Sequence, residues 1–243
     1  MKAMIFAAGL GTRLKPLTDN IPKALVTIGG KPLLQHTIEK LKSSGFDEII
    51  INIHHFADQI VEFILSKNSF DIKIEFSDES NELLDTGGGI KKASHFFCDG
   101  EPFLIHNVDI LSNINLNDLY LFHKSSNSIA TLVCSKRKTS RYLLFNTANQ
   151  LKGWTNKETG KIKSPNKLLE LKQYNELAFS GIHILEPSIF KYMTDFPEKF
   201  SIIDFYIFLS QYELIRAFAP EDIQMIDVGK PDTLKEAQTL LSL

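Results

Sequence analysis

The chain has 243 residues, of which 43% are hydrophobic, so its length and composition suffice to bury a full core. Its 27 Lys and Arg residues nearly balance 29 Asp and Glu residues, which argues against a dedicated nucleic-acid binder. Cys98 and Cys134 lie far apart without metal-binding spacing, which excludes a thiolate zinc site and a disulfide scaffold. No segment reaches the roughly 20 apolar residues of a membrane span, and the N-terminal apolar run is too short for a signal peptide. We therefore expect a soluble cytoplasmic protein.

Short apolar runs alternate with helical patterns in the first half of the chain. Apolar runs at 3–8, 49–53, 72–76 and 103–105 predict buried strands. Helices are predicted from Pro32 to Gly45, around 60–65, and from 90 to 97 after a turn formed by Gly87-Gly88-Gly89. This order of elements predicts an α/β fold with a Rossmann-like, doubly wound sheet that is mixed but mostly parallel.

The pattern changes after about residue 128. Strands are predicted at 129–134, 142–145, 179–185 and 224–228, with an apolar helix at 200–212 and a terminal helix from Pro231. Residues 150–175 are polar and rich in lysine, with weak periodicity. No linker or internal repeat divides the chain, so residues 1–243 are predicted to form one domain.

The loop after the first predicted strand contains two glycines and an arginine. Gly9 and Gly11 allow backbone N–H groups to turn toward a phosphate, and Arg13 offers a planar set of donors for its oxygens. The loop is not a dinucleotide fingerprint, because Leu14 stands where GxGxxG needs its third glycine. It is not a Walker loop either. On the two glycines alone, a structural turn remains the favoured interpretation.

Longer motifs change that interpretation. The run G-x-G-T-R-L-x-P-L-T at 9–18, followed by P-K-A-L at 22–25 and G-x-P-L at 30–33, resembles the signature of the sugar-1-phosphate nucleotidyltransferases, also called nucleotide-sugar pyrophosphorylases. Four later motifs are similar to the family's nucleotide turn, metal turn, sugar strand and second metal turn: L-D-T-G-G-G-I at 84–90, N-V-D at 107–109, F-S-G-I at 179–182 and I-D-V-G at 226–229. The chain most resembles the branch with N-acetylmuramate-1-phosphate uridylyltransferases and mannose-1-phosphate guanylyltransferases.

The resemblance implies a nucleotide-diphospho-sugar transferase fold, with a nucleotide-binding half of about 1–128 and a sugar-binding half of about 129–243. It implies catalytic roles for Arg13 and Lys23. The nucleotide-binding residues that it implies are Ala8, Gly9, Gly11, Thr12, Arg13, Thr86, Gly87 and Gly88. The sugar-binding residues that it implies are Asn107, Ser180 and Gly181. Since the motifs run from Gly9 to Asp227, we expect the transferase domain alone, without an appended module.

Two aspartates each follow a predicted buried strand. Asp109 and Asp227 would project from the carboxyl edge of a parallel sheet, where two carboxylates can share one cation. Mg²⁺ prefers one or two carboxylates together with phosphate oxygens and water, so the pair suits this ion. Taken singly, each aspartate is more simply explained as a turn residue. Together with the resemblance, they predict a magnesium site.

The implied reaction joins a nucleoside triphosphate and a sugar 1-phosphate into an NDP-sugar and pyrophosphate, with Mg²⁺ as cofactor. No nucleic-acid or membrane partner is expected, and the nucleobase, the sugar and the oligomeric state stay open. One alternative is a cytidylyltransferase acting on a phospho-alcohol such as phosphocholine, although F-S-G-I and T-G-G-G favour a sugar phosphate. The other is an inactive regulatory or binding subunit, which the intact Arg13, Lys23, Asp109 and Asp227 argue against.

Two groups of cations have no assigned role in this scheme. Many family members carry a lysine near the sugar phosphate, but the candidates at 157, 161, 163 and 167 are best explained as a solvated loop. The densest cationic run, Lys136-Arg137-Lys138 with Arg141, is predicted to be a solvated turn between two strands.

Overall fold

The computed structural model describes residues 1–165, 170–229, 233–234 and 236–237. Its strands are β1 (Lys2–Phe6), β2 (Thr27–Ile28), β3 (Lys31–Pro32), β4 (Glu48–Ile53), β5 (Lys73–Asp78), β6 (Phe103–Asn107), β7 (Ile110–Ser112), β8 (Ala130–Ser135), β9 (Arg141–Phe145), β10 (Leu151–Asn156), β11 (Ile162–Lys163), β12 (Asn175–Leu185), β13 (Ile215–Phe218) and β14 (Met225–Asp227). Its α-helices are α1 (Leu33–Ser43), α2 (Ala57–Ser66), α3 (Asp85–Lys92), α4 (Leu116–Ser126), α5 (Phe190–Met193) and α6 (Ile202–Leu209).

A central sheet contains strands from both halves of the chain. Its order is β11-β10-β9-β12-β6-β1-β4-β5, and β8 pairs with β12 and β13. Strands β6, β1, β4 and β5 run parallel, whereas β12 runs antiparallel to β6, β8 and β9. The structure confirms the predicted α/β fold with a mixed central sheet, in which the strands from the first half of the chain run parallel. The division into halves within one domain stays a prediction.

Two hydrophobic cores cover the two faces of the sheet. Successive residues of β1 alternate between them: Ala3 and Ile5 belong to the core that contains α1 and α2, and Met4 to the core that contains α3 and α6. Helix α1 forms as predicted because its apolar residues recur at helical spacing and are fully buried. It ends before Gly45, whose φ of +84° favours glycine.

Several elements differ from the sequence-based expectation. The predicted turn at Gly87-Gly88-Gly89 is wrong, because these glycines lie inside α3. The polar segment 150–175 contains β10 and β11, and neither α4 nor β13 was predicted. Most of the terminal helix predicted from Pro231 lies outside the described residues. In the ranges that are described, no helix is long and apolar enough to cross a lipid bilayer.

Candidate active site

A cavity of about 410 Å³ opens at the carboxyl ends of β1, β4 and β6. Ligands of open α/β sheets bind at this edge, and the volume lies in the range of small-molecule sites. The cavity is lined by Phe6, Ala7, Ala8, Gly9, Leu10, Gly11, Thr12, Arg13, Lys23, Asn52, Glu79, Leu83, Asp85, Thr86, Asn107, Val108, Asp109 and Gly229. Predicted residues of the glycine-rich loop, the 84–90 motif and the 107–109 motif therefore share one cavity.

The glycine-rich loop is fixed at both ends. At its start, the backbone N–H groups of Ala7 and Ala8 donate to Asn52 Oδ1 at 2.7 and 3.2 Å. At its end, Gly11 has a φ of +64°, and a Cβ on it would lie 3.0 Å from Thr18 and 3.1 Å from Lys23. Both the backbone conformation and the close packing therefore require glycine at position 11.

Lys23 forms an ion pair with Asp109. A one-turn 3₁₀ helix that begins directly after Pro22 holds the lysine, and Lys23 is only 8% exposed. The Lys23 ammonium therefore lies beside the Asp109 carboxylate, two residues after the end of β6, and both residues line the cavity. Because Lys23 is buried, its positive charge is screened less by water than the charge of a surface lysine.

Asp227 lies next to Asp109 because their strands pair. Asp227 is in register with Ile110, and the Val228 N–H donates to the Asp109 carbonyl at 2.8 Å. The Asp227 Oδ1 atom is buried and has no hydrogen-bond partner among the residues that the structure describes. A Cβ on Gly229 would lie 2.6 Å from this oxygen and 2.7 Å from the Arg13 guanidinium. The structure thus brings Arg13 and Lys23 to the two predicted metal aspartates.

This arrangement fits a magnesium ion. An orphaned buried carboxylate oxygen beside a second carboxylate is a donor set that Mg²⁺ accepts when phosphate oxygens and water complete its coordination. Among the described residues, no group of three or more His, Cys, Asp or Glu side chains could hold a metal ion on its own. The ion would therefore need ligands from a substrate.

The residues of the 84–90 motif divide between lining the cavity and packing against a neighbouring segment. Thr86 lines the cavity, and its hydroxyl accepts a hydrogen bond from the Ile202 N–H at 3.0 Å. Gly87 and Gly88 instead lie against residues 198–200: a Cβ on Gly87 would be 2.3 Å from the Phe200 ring, and one on Gly88 would be 2.0 Å from the Glu198 carbonyl oxygen. They are absent from the cavity wall, and the structure gives them a packing role.

The predicted sugar-side residues also divide. Asn107 lines the cavity, whereas the Ser180 hydroxyl is buried and donates to the Val133 carbonyl at 2.6 Å. Gly181 has a φ of +75°, and a Cβ on it would lie 2.4 Å from Asn107 Nδ2. Ser180 therefore ties β12 to β8, and Gly181 makes room for the Asn107 side chain.

Sequence reasoning missed Asn52 and Glu79, which both line the cavity. Asn52 Nδ2 donates to Glu79 Oε1 at 2.9 Å, and the Leu84 N–H donates to Glu79 Oε2 at 3.0 Å. Glu79 is 1% exposed, so these donors compensate a buried carboxylate. The pair joins the glycine-rich loop to the 84–90 motif. The available signal was an asparagine inside the apolar run I-I-I-N-I.

His106 is a buried residue that directly precedes the cavity residue Asn107. Its Nδ1 lies 2.8 Å from the Asn107 carbonyl oxygen, and burial lowers the pKa of the imidazole from 6.5 to about 4. The ring is therefore neutral at pH 7, with its proton on Nδ1 facing the carbonyl. A neutral His106 adds no positive charge near Asp109.

Two of the unassigned lysines in the sugar half have acidic partners. Lys157 pairs with Glu176, and Lys163 pairs with Asp204. Lys161 is exposed in the turn between β10 and β11, and position 167 lies outside the described residues. Lys157, Lys161 and Lys163 are absent from the lining of the 410 Å³ cavity.

Comparison with known proteins gives consistent matches. The family model described as "Nucleotidyl transferase" matches residues 2–242. The chain is 31% identical to the N-acetylmuramate alpha-1-phosphate uridylyltransferase of Caulobacter vibrioides, over 99% of this chain and 96% of the relative. It is 30% identical to the UTP–glucose-1-phosphate uridylyltransferase of Synechocystis sp., of which it spans 64%. Among solved structures, HddC from Yersinia pseudotuberculosis in complex with GMP-PN superposes with a TM-score of 0.76 at 27% identity, covering 99% of both chains.

Proposed function

We propose that this chain, which belongs to the nucleotidyl transferase family, transfers a nucleotidyl group from a nucleoside triphosphate to a sugar 1-phosphate. The match over residues 2–242 confirms the family that the motifs predicted. One observation carries the proposal: Arg13, Lys23 and Asp109 line one cavity with the glycine-rich loop, and Asp227 lies beside them on the strand that pairs with β7.

The residues present suit an in-line displacement. An oxygen of the sugar 1-phosphate attacks the α-phosphorus, a new P–O bond forms, and the bond to the β-phosphate oxygen breaks to release pyrophosphate. The attacking phosphate is already ionised at pH 7, so no general base is required. The protein must then position the two substrates and offset their negative charge. The amides at 9–11 and Arg13 hold the triphosphate, and Lys23 offsets charge at the transferred group.

Asp109 and Asp227 would hold Mg²⁺ at this end of the cavity. When bound, the ion neutralises charge on phosphate oxygens of both substrates. The Lys23 ammonium balances Asp109, and the Arg13 guanidinium lies near Asp227. Lys23 and Arg13 can therefore each hold a carboxylate in position and also reach phosphate oxygens at the same end of the cavity.

The names of the relatives support a sugar phosphate over a phospho-alcohol. The Caulobacter and Synechocystis proteins are both named for sugar 1-phosphates and for uridylyl transfer. A third relative, from Arabidopsis thaliana, is named mannose-1-phosphate guanylyltransferase 1; it is 33% identical over 78% of this chain, which spans 51% of that relative. These names differ in base and sugar, so we leave both to experiment. A cytoplasmic location stays a prediction.

A pyrophosphate-release assay tests the proposal. UTP, GTP, CTP, dTTP and ATP are each combined with the 1-phosphates of N-acetylmuramate, mannose, glucose and N-acetylglucosamine, with Mg²⁺ or with EDTA. We expect release from at least one pair, abolished by EDTA and strongly reduced in Lys23→Ala. No release from any pair by the folded protein would contradict the proposal and favour a binding subunit.

A further inference from the structure

A second cavity, of about 420 Å³, lies at the carboxyl end of β8. It is lined by Ser135, Lys136 and Arg137 at the end of β8, and by residues 219–221, Ile223 and Met225. Its volume is similar to that of the cavity at the carboxyl ends of β1, β4 and β6, although none of its lining residues belongs to the family motifs quoted above.

The two cations that line this cavity, Lys136 and Arg137, have no acidic partner among the described residues. Neither lies within 4.0 Å of a carboxylate oxygen there, and the same holds for Lys138, which follows them in the β8–β9 connection. Arg137 donates one hydrogen bond, to the Phe179 carbonyl at 3.2 Å. Its planar guanidinium keeps further donors for an oxyanion.

Two more groups complete the chemistry of the cavity. The Ser135 hydroxyl is buried in its wall and lacks a hydrogen-bond partner within the described ranges. Glu221 is the one carboxylate among the lining residues, which also include the two cations Lys136 and Arg137. Donors and positive charge therefore predominate, which suits a small anionic group.

The two cavities are connected through shared strands. On β14, Met225 lines the second cavity; Asp227 lies two residues further on, and Gly229 after it lines the first cavity. On β12, Phe179 accepts the hydrogen bond from Arg137, and Gly181 two residues later packs against Asn107. A sugar whose 1-phosphate lies at the two aspartates thus has this cavity beside it.

We propose that the sugar 1-phosphate substrate carries a second anionic group, a carboxylate or a phosphate, and that Lys136 and Arg137 bind this group in the second cavity. This inference rests on the proposed function, because it assigns a substrate class to the same site. Charge-assisted hydrogen bonds from a guanidinium and an ammonium supply the recognition. Because the negative charge of Glu221 repels anions, a small free anion binds weakly in this cavity. Contacts to the rest of the sugar therefore help to select the ligand.

Matched substrates isolate the second charge. N-acetylmuramate 1-phosphate is compared with its lactyl methylamide and with N-acetylglucosamine 1-phosphate, which lacks the lactyl group. Glucose 1,6-bisphosphate is compared with glucose 1-phosphate as the phosphate arm. Binding to the full chain is measured by calorimetry, and pyrophosphate release is measured in parallel. The proteins are the wild type, the double variant Lys136→Gln/Arg137→Gln, and Lys161→Gln as a control with a lost surface cation elsewhere in the sugar half.

We expect the wild type to bind one anionic substrate at least about 10-fold more tightly than its neutral match. The double variant loses that preference and keeps its affinity for the neutral match, while Lys161→Gln retains the preference. Equal binding of both members of each pair by the wild type, or a preference that survives in the double variant, overturns the inference. A calorimetric preference without pyrophosphate release from any pair supports the subsite and contradicts the proposed transferase.

A separate anion is the other source of the same chemistry. Inorganic phosphate and D-lactate are therefore added to reactions with the neutral sugar phosphates. We expect no change in turnover at millimolar concentrations. A change seen in the wild type and absent from the double variant would assign the cavity to a free effector and overturn the assignment to the substrate.

Discussion

Replacing Gly181 by alanine tests how β12 shapes the cavity. Gly181 has a φ of +75°, a conformation that L-residues with a Cβ adopt at an energetic cost. The added methyl group would lie 2.4 Å from Asn107 Nδ2 and 2.7 Å from Asn107 Cγ. Both distances are far below van der Waals contact, so the Asn107 side chain must leave its position on the cavity wall.

The two effects can be estimated separately. The left-handed conformation costs about 1–2 kcal/mol for alanine, and overpacking against a neighbouring side chain adds about 1–3 kcal/mol. For a chain of this size, each kcal/mol lowers Tm by roughly 2–4 °C. We expect Gly181→Ala to lower Tm by about 4–20 °C. Displacement of Asn107 should also lower kcat/KM by about 10-fold or more, because small misplacements of site groups are costly.

Gly160→Ala is the matched control. Gly160 has a similar φ of +68°, but a Cβ on it would meet no atom within 4 Å. The Gly160→Ala variant therefore has the backbone strain of alanine at positive φ, without a steric clash of its Cβ. Thermal denaturation and pyrophosphate release are measured for both variants and the wild type. If Gly181→Ala matches Gly160→Ala in both Tm and kcat/KM, the contact with Asn107 has no consequence for stability or activity.

Three further predictions concern charge and hydrogen bonding. Asp109→Asn and Asp227→Asn should each lower turnover at least about 100-fold in the pyrophosphate assay, and full activity in both folded variants would remove the metal assignment. Asn52→Ala should destabilise the fold by about 1–3 kcal/mol in urea and raise KM for the triphosphate, because Glu79 and two backbone amides lose a partner; unchanged values would contradict this. Burial lowers the pKa of His183 from 6.5 to about 3, so its unfolded form takes up the proton first as pH falls. Its contribution to stability is complete above about pH 6.5 and declines by up to about 1.4 kcal/mol per pH unit toward pH 3. Urea midpoints at pH 7 and pH 5 should show a smaller difference in His183→Gln than in the wild type.

The periodic elements of the first half could be predicted from the sequence. Helix α1 was expected between Pro32 and Gly45 and spans Leu33–Ser43, because its apolar residues fall on one face and a glycine with positive φ follows it. Strand β4 was expected at 49–53 and spans Glu48–Ile53. In both cases the local pattern and the tertiary environment favour the same structure.

The glycine run was mispredicted because tertiary packing overrides local propensity there. Three consecutive glycines disfavour a helix, which is why a turn was expected. In the structure the segment at 198–200 lies so close to α3 that a Cβ on Gly88 would reach the Glu198 carbonyl oxygen. Only a helix without side chains at these positions fits under that segment. Such close contact between distant segments leaves no periodic signal.

Residues that act through hydrogen bonds were harder to predict than those in the longer motifs. The motifs pointed to Arg13, Lys23 and Asp109, which do share one cavity. Asn52 and Glu79 were missed because their importance depends on which strands are neighbours in the sheet. Strand β4 lies between β1 and β5, so Asn52 can reach both the glycine-rich loop and Glu79.

The charges around the cavity give a physical reason for a divalent cation. Lys23 is paired with Asp109, and Arg13 lies near Asp227, so these two cations are matched by two carboxylates of the protein itself. A nucleoside triphosphate and a sugar phosphate would bring several further negative charges into the same cavity. The nearby His106 is neutral at pH 7 and cannot offset them. Since the chain as a whole carries a net charge of −2, no general positive field compensates for this excess. This excess of negative charge is the physical reason for the proposal that Mg²⁺ from solution binds at the two aspartates.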